Sequence, residues 1–173
     1  MRVVADTFET PLGTMRAVEV GGRLASLEIG EMPMGDLPPE SEIGELAEVR
    51  SQLVEYAGGS RQEFRIETSL ARVSAFDRTI LSRLCDVGYG ELVTYGRLAE
   101  MAGCPGAARA VGGALNRNPL PIVVPCHRVV AADGTLGGYG GGLVLKRRLL
   151  SLEGVAPPEG GWPSRGDAAQ TIT

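Results

Sequence analysis

Over the first thirty positions, polar and apolar residues alternate. Arg2 to Phe8, Met15 to Val20 and Leu24 to Ile29 show the β-branched enrichment and period of two expected of half-buried strands. Turn signals separate them at Pro11-Leu12-Gly13 and at Gly21-Gly22. Both glycines of the second pair can take the positive φ that a two-residue hairpin demands. Glu31 to Pro39, with three prolines, reads as a loop. The period then lengthens. Ile43, Leu46, Ala47, Val49, Leu53, Val54 and Ala57 recur at helical spacing, so Ser41 to Ala57 is predicted as a helix stopped by Gly58-Gly59. Glu63 to Ile66 is a candidate for one more short strand.

Helical patterns dominate the chain beyond residue 70. Ser74-Ala75-Phe76-Asp77 fits a capping box, with the serine hydroxyl and the Asp77 carboxylate each accepting a backbone N–H. Its helix is predicted to bury Phe76, Ile80, Leu81, Leu84 and Cys85 on one face. Gly88 to Gly90 breaks the chain before Leu92-Val93. A second helix is capped by Thr94 and runs through Leu98 and Ala99 to Gly103. Pro105 opens a third, through Gly106 to Leu115, and the pair reads as a helix-turn-helix. Nearly every side chain of that third helix is tiny, and Arg109 stands alone among them. Tight helix packing explains the small residues but not the arginine; a nucleic-acid groove explains both.

Asn116 to Pro119 forms a loop, and the apolar run Pro121-Ile122-Val123-Val124 reads as a buried extended segment arriving at a turn, Pro125-Cys126-His127-Arg128-Val129-Val130. Gly134 to Gly142 holds six glycines around Tyr139, a tightly turned or flexible loop. Lys146 to Leu152 closes as a helix with Leu145, Leu149 and Leu152 facing inward, ending at Glu153-Gly154. From Val155 to Thr173 the composition is Pro, Gly and polar, as in a disordered tail.

Length and composition narrow the picture. A chain of 173 residues makes one mid-sized domain or two small ones sharing a core. The first twenty residues carry acids and polar groups unlike a signal peptide, and no apolar run approaches a membrane span. Cys85, Cys104 and Cys126 are an odd, scattered set without a CxxC pair, which points to free thiols in a reducing, cytoplasmic setting. A single histidine makes a structural zinc site a poor fit, and no metal or cofactor is expected. The net charge of −4 conceals an asymmetry. Residues 1–70 carry 6 basic and 13 acidic side chains, residues 71–150 carry 10 and 5, and the remainder 1 and 3. The middle segment therefore suits an anionic partner, against the plainer reading of solvated arginines.

Cys126 and His127, side by side where an apolar segment ends, are the candidate chemistry. A thiol attacks as thiolate, and a cationic or proton-accepting neighbour favours that form. The bland alternative is a buried cysteine acting as a small apolar residue. The wider segment decides between them. Residues 90–154, with AARAVGGAL, NPLPIVVPCHRVV and above all PCHRV, closely resemble the O6-alkylguanine-DNA alkyltransferases.

That resemblance implies an α+β protein. A small N-terminal, RNase H-like domain of antiparallel sheet plus helix would span residues 1–70. A mainly helical domain with the helix-turn-helix and the PCHR site would span 71–154, and a tail 155–173. Cys126 would accept the alkyl group, His127 take the thiol proton through a water, and Glu153 orient the histidine. Tyr95 would donate a proton toward the departing guanine, and Asn118 brace the nucleophile's segment. Arg109 would take the place of the flipped nucleotide, with Thr94, Ala107, Ala108, Gly112 and Arg128 also on the DNA side. Tyr139, Gly140, Gly141 and Pro121 would form the substrate pocket. The family position at Gly140 is often a hydroxyl residue, and the zinc ligands of some relatives are missing. The implied partner is double-stranded DNA carrying O6-alkylguanine, bound by a monomer without a membrane. The implied activity is single-turnover repair, with O4-alkylthymine an open second substrate. Two rivals stand beside it. A non-catalytic lesion-binding relative would lack the acceptor cysteine, and a thiol hydrolase would leave Arg109 unexplained.

Overall fold

The computed structural model describes residues 1–30, 36–37 and 41–163. Alternation in the first thirty residues yields an antiparallel meander of β1 (Val3–Thr10), β2 (Gly13–Val20) and β3 (Arg23–Ile29). Gly21 and Gly22 take φ of 60° and 78°, as the hairpin turn requires of both. A fourth strand, β4 (Ser41–Ile43), pairs in parallel with β1 and sets the sheet order β3-β2-β1-β4.

The predicted helix over Ser41 to Ala57 is therefore too long at its start, because α1 covers Ala47–Ala57. A buried carboxylate sets that boundary. Asp6, on β1, accepts the Leu46 N–H at 2.9 Å and the Arg50 guanidinium at 2.6 and 3.1 Å. The helix begins where Asp6 can take one of its orphan donors, and the residues before it join the sheet. Burial pushes the Asp6 carboxyl up, but Arg50 and the backbone N–H groups outweigh it and hold it below the ordinary value. No strand forms over Glu63 to Ile66, where the Gln52 side chain takes both backbone groups of Arg65, at 2.7 and 3.2 Å. Only Thr68 bridges, to Leu24.

The chain divides into two units: Met1–Val73 with Pro119–Val123, and Ser74–Asn118 with the chain from Val124 onward. In the first, the Pro119 carbonyl accepts the Leu27 N–H at 2.8 Å. The extended segment expected at Pro121 to Val124 is a turn instead, with buried Ile122 at φ 73°. A β-branched residue in the left-handed region costs on the order of 1–3 kcal/mol, so the surroundings must impose it.

In the second unit, α2 (Ala75–Leu84), α3 (Tyr95–Met101) and α4 (Ala108–Asn116) pack together. They do so through Ile80, Leu81, Leu84, Leu98, Val111 and Ala114, all fully buried. Each buried leucine or isoleucine contributes roughly 1.5–3 kcal/mol. Ser74 caps α2 by accepting the Asp77 N–H at 3.1 Å. The Asp77 carboxylate is turned to Arg117, which grips it at 2.7 and 2.8 Å and so ties α2 to the end of α4. Because α2 ends at Leu84, Cys85 falls off the buried face and is exposed, its thiol donating to the Leu81 carbonyl at 3.4 Å; Phe76 is only half-buried. Helix α4 starts at Ala108 and not at Pro105, since the turn before it runs through Gly103 and Gly106 at φ 75° and 83°.

Two short parallel strands, β5 (Val93–Thr94) and β6 (Val129–Val130), join the start of α3 to the segment around Cys126. The last helix, α5 (Leu143–Leu152), starts ahead of Lys146 and buries Lys146, Leu149 and Leu150. Residues 155–163 are not the loose tail expected of them. Val155 and Trp162 pack against buried Val130, Leu136 and Leu150. The rest of the predicted tail, 164–173, and most of the Glu31 to Pro39 loop lie outside the described residues. Among the described residues no helix is long and apolar enough to cross a membrane.

Arg117 holds the Asp77 carboxyl below its ordinary range. A carboxylate depressed in this way contributes stability above its unfolded pKa, and that stability is lost as pH falls through the folded one. Arg117→Ala should lower the urea midpoint at neutral pH and flatten the loss of stability below about pH 4. Urea melts across the acid range would show both; a wild-type acid slope would contradict the assignment.

Candidate active site

The β5–β6 pairing sets Val93 against Val129, immediately beyond a 3-10 turn, Cys126–Arg128, whose three side chains are all buried. Asn118, just past the end of α4, reaches this turn. Its Nδ2 donates to the Val124 carbonyl at 2.9 Å and to the Cys126 sulfur at 3.2 Å, which positions the thiol and favours its ionised form. Burial is nevertheless the largest influence and pushes the thiol above its ordinary value. Asn118, the Lys146 charge, the local backbone and the Tyr139 hydroxyl all pull the other way. The resting group is therefore a thiol, not the pre-formed thiolate that adjacency to histidine suggests. The Tyr139 hydroxyl is itself buried and aligned with no partner as a regular hydrogen bond. It is raised by burial and by Cys126.

Glu153, at the C-terminal end of α5, carries a completely buried carboxylate that gathers four donors. His127 Nε2 lies 2.7 Å from Oε1, Arg128 Nε and Nη2 donate at 2.9 Å each, and the Gly90 N–H donates at 3.1 Å. Arg128 Nη1 also donates to the Val87 carbonyl at 2.6 Å, and the guanidinium lies over the Tyr89 ring. The family resemblance puts Arg128 on the DNA side. With 7% of its surface exposed and its guanidinium bound to Glu153 and Val87, it belongs to the interior of the site instead.

Burial lowers the His127 pKa and outweighs the opposing effect of Glu153, while the Arg128 and Lys146 charges act in the same direction as burial. The imidazole is neutral. Since Arg128 keeps Glu153 ionised and acceptor-only, the ring proton sits on Nε2 and the lone pair on Nδ1. The pattern of a nucleophile, a neutral base and an orienting carboxylate suits displacement by sulfur.

Two contributors carry no clear signal in the sequence. Gly90, part of a chain break by its pattern, has φ 75°, and a side chain would meet the Glu153 carbonyl at 2.9 Å. Only glycine brings this N–H to the carboxylate. Lys146, by its pattern the first residue of a helix, is fully buried. Its Nζ donates to the carbonyls of Val129 at 2.6 Å, Gly138 at 3.2 Å and, closely, Leu136. A cation on the inner face of a helix has no signature in hydrophobic period.

Tyr95 opens α3 and holds the glycine loop. Its hydroxyl accepts the Gly138 N–H at 3.3 Å and reaches the Gly138 carbonyl at 3.5 Å. A side chain at Gly137 would come within 2.6 Å of that hydroxyl, so the close approach demands glycine. Gly112 faces the Tyr95 ring, where an added Cβ would make only ordinary contact, at 3.8 Å. Thr94 caps α3 by accepting the Arg97 N–H at 3.1 Å. Ala107 and Ala108, at the start of α4, are half-buried, and Arg109 is exposed. Gly140 and Gly141 are exposed; a side chain at Gly140 would meet open space, whereas one at Gly141 would strike Leu145 and Tyr139. Pro121 sits in the Pro119–Val123 segment of the first unit. No three His, Cys, Asp or Glu side chains cluster for a metal among the described residues.

A family model described as "6-O-methylguanine DNA methyltransferase, DNA binding domain" matches residues 75–155. A Mycobacterium leprae protein named methylated-DNA–protein-cysteine methyltransferase is 43% identical over 152 residues, spanning 85% of this chain and 90% of its own length. The crystal structure of Mycobacterium tuberculosis OGT in complex with DNA matches with a TM-score of 0.81 at 37% identity, over 87% of this chain and 93% of that one. The O6-methylguanine-DNA methyltransferase of Pyrococcus kodakaraensis matches with a TM-score of 0.66 at 28% identity, over 88% and 99%.

Removing Arg128 would strand the buried Glu153 charge. Arg128→Ala should therefore cost about 3–5 kcal/mol of folding stability, measured by urea unfolding. A loss typical of a surface arginine would return Arg128 to the exterior.

Proposed function

We propose, for a chain that belongs to the methylated-DNA–protein-cysteine methyltransferase family, that Cys126 takes the alkyl group from O6 of guanine in duplex DNA and keeps it as a thioether. The observation that carries this reading is the Cys126 thiol, held by Asn118 in the same turn as a neutral His127 that Glu153 orients. His127 accepts the thiol proton through a water. The thiolate pair then forms the S–C bond, the C–O6 bond breaks, and its electrons pass to the guanine, which takes up a proton. Tyr95, beside the glycine loop, is the assigned donor of that proton, and Tyr139, Gly140 and Gly141 form the substrate side.

The target oxygen lies within a base stack, so the nucleotide must be extruded at a cost of about a few kcal/mol. Helices α3 and α4 act as the helix-turn-helix. Exposed Arg109 enters the vacated space from the small-residue surface of Ala107 and Ala108, and Thr94 and Gly112 shape the same side. The exposed cations of the second unit bind phosphates without reading sequence. The protein acts as a cytoplasmic monomer without a cofactor. The presence of Cys126 disfavours a purely lesion-binding role. A thioether is a poor leaving group, so each molecule reacts once.

Intact mass spectrometry after incubation with O6-methylguanine duplex tests the reading. One methyl per protein, mapped to the Cys126 peptide, is expected, with none in Cys126→Ala; product exceeding protein, or a methyl on Cys85, would contradict it. In the same assay Arg109→Ala should react far more slowly with duplex but nearly as wild type with free O6-benzylguanine, which needs no flipping. Equal loss on both would make Arg109 structural.

A further inference from the structure

Helix α4 turns one face to solvent. Arg109, Ala110 and Asn116 are exposed on it, as is Arg117, which caps the helix; Val111 and Ala114 on the far side are buried. Residues four apart share a helix face, so Arg109, Gly113 and Arg117 form one stripe. The Arg117 guanidinium folds back along that stripe. A Cβ at Gly113 would lie 3.3 Å from its Nη1, so the group rests flat over a glycine, about one turn from Arg109. Its Nε and Nη2 donate to Asp77 at 2.7 and 2.8 Å.

We propose that Arg117 is a preset phosphate receptor on the DNA face: Asp77 fixes the guanidinium on α4, and its outer edge binds a backbone phosphate beside the nucleotide that Arg109 displaces. This rests on the DNA-binding role proposed above for α4.

The donor count leaves an edge to spare. Asp77 takes two of an arginine's five N–H donors, and no other partner holds the rest among the described residues. Those that remain lie in the planar fork that matches phosphate oxygens.

Exposure gives the ion pair a sign. The Asp77 side chain is 3% exposed and the Arg117 side chain 60%, so solvent meets the cation and not its partner. The surface pairs Arg83–Asp86 and Arg97–Glu100 differ, because both halves of each stand in water and present both charges to a phosphate. Arg117 is also ordered before DNA arrives, so the contact costs it little conformational freedom. Its place in the chain adds a use. The next residue is Asn118, which holds the Cys126 sulfur at 3.2 Å. A phosphate on Arg117 therefore sets the DNA strand one residue away from the group that braces the nucleophile.

Anisotropy of a labelled, undamaged duplex across a potassium chloride series tests this, with no chemistry at Cys126 required. Arg117→Ala and Asp77→Asn both break the ion pair, so both lose its structural support. Arg117→Ala should bind several-fold more weakly at low salt, and its slope of log K against log salt should be shallower by about 0.9, one phosphate contact. Asp77→Asn keeps the cation and should retain the wild-type slope, with equal or tighter binding. Arg117→Gln, whose amide can still donate to Asp77, should match Arg117→Ala in slope, and it decides the matter if that variant does not fold. The proposal is overturned if the neutral Arg117 variants keep the wild-type slope. It is equally overturned if Asp77→Asn loses as much slope as Arg117→Ala, since binding would then follow the ion pair and not the cation. A wild-type protein without salt-dependent duplex binding would refute the DNA-binding role of α4 as well, whereas a wild-type slope in the Arg117 variants refutes the receptor alone.

Discussion

The site depends on one buried carboxylate. Glu153 has lost all its water, and an isolated charge in that position would be costly enough to be neutralised. It stays ionised because Arg128 grips both oxygens and the Gly90 N–H adds a third bond. These donors bring two distant parts of the chain to the end of α5: the 3-10 turn and the loop before β5, where the Tyr89 hydroxyl also donates to the Leu152 carbonyl at 3.0 Å. The carboxylate is then both an anchor for the fold of the second unit and an orienting group for His127. Arg128 separates these roles by keeping the charge on Glu153, so that His127 can donate without itself becoming charged.

A neutral base beside a buried thiol has a chemical consequence. Burial withholds reactivity from Cys126 at rest, and Asn118 and Lys146 return part of it. Ionisation thus becomes favourable only when a partner takes the proton and an electrophile is seated, which protects a single-use thiol from adventitious reagents. The glycine loop contributes geometry more than softness. Gly137 approaches the Tyr95 hydroxyl at a distance no side chain allows, and Gly138 holds the same hydroxyl from both backbone groups.

What the sequence disclosed was local. The Gly21-Gly22 turn, the Ser74 and Thr94 caps and the Cys126-His127 pair each rest on neighbours in the chain, and each is where the pattern places it. What it hid was long-range. Asp6 sets the start of α1 from forty residues away, so no helical period could locate that boundary. Arg128 and Lys146 look like surface cations because charge is normally solvated, yet the first is matched to Glu153 and the second to three carbonyls. Both subtract from the basic surface that the charge balance of residues 71–150 suggested. Cys85 failed for a simpler reason: as the C-cap of α2 it ends an exposed turn, and only its thiol folds back, onto the Leu81 carbonyl.

His127 is the only histidine in the chain, so its ring gives a single pair of nitrogen resonances. A long-range proton–nitrogen NMR titration of the unreacted protein reads its tautomer and charge without any substitution. Burial of the ring, with Glu153 held as the acceptor of its N–H, predicts a neutral ring protonated at Nε2 at neutral pH, gaining its second proton below the ordinary histidine value. An imidazolium at neutral pH, or a neutral ring protonated at Nδ1, would contradict the account of how this site holds its base.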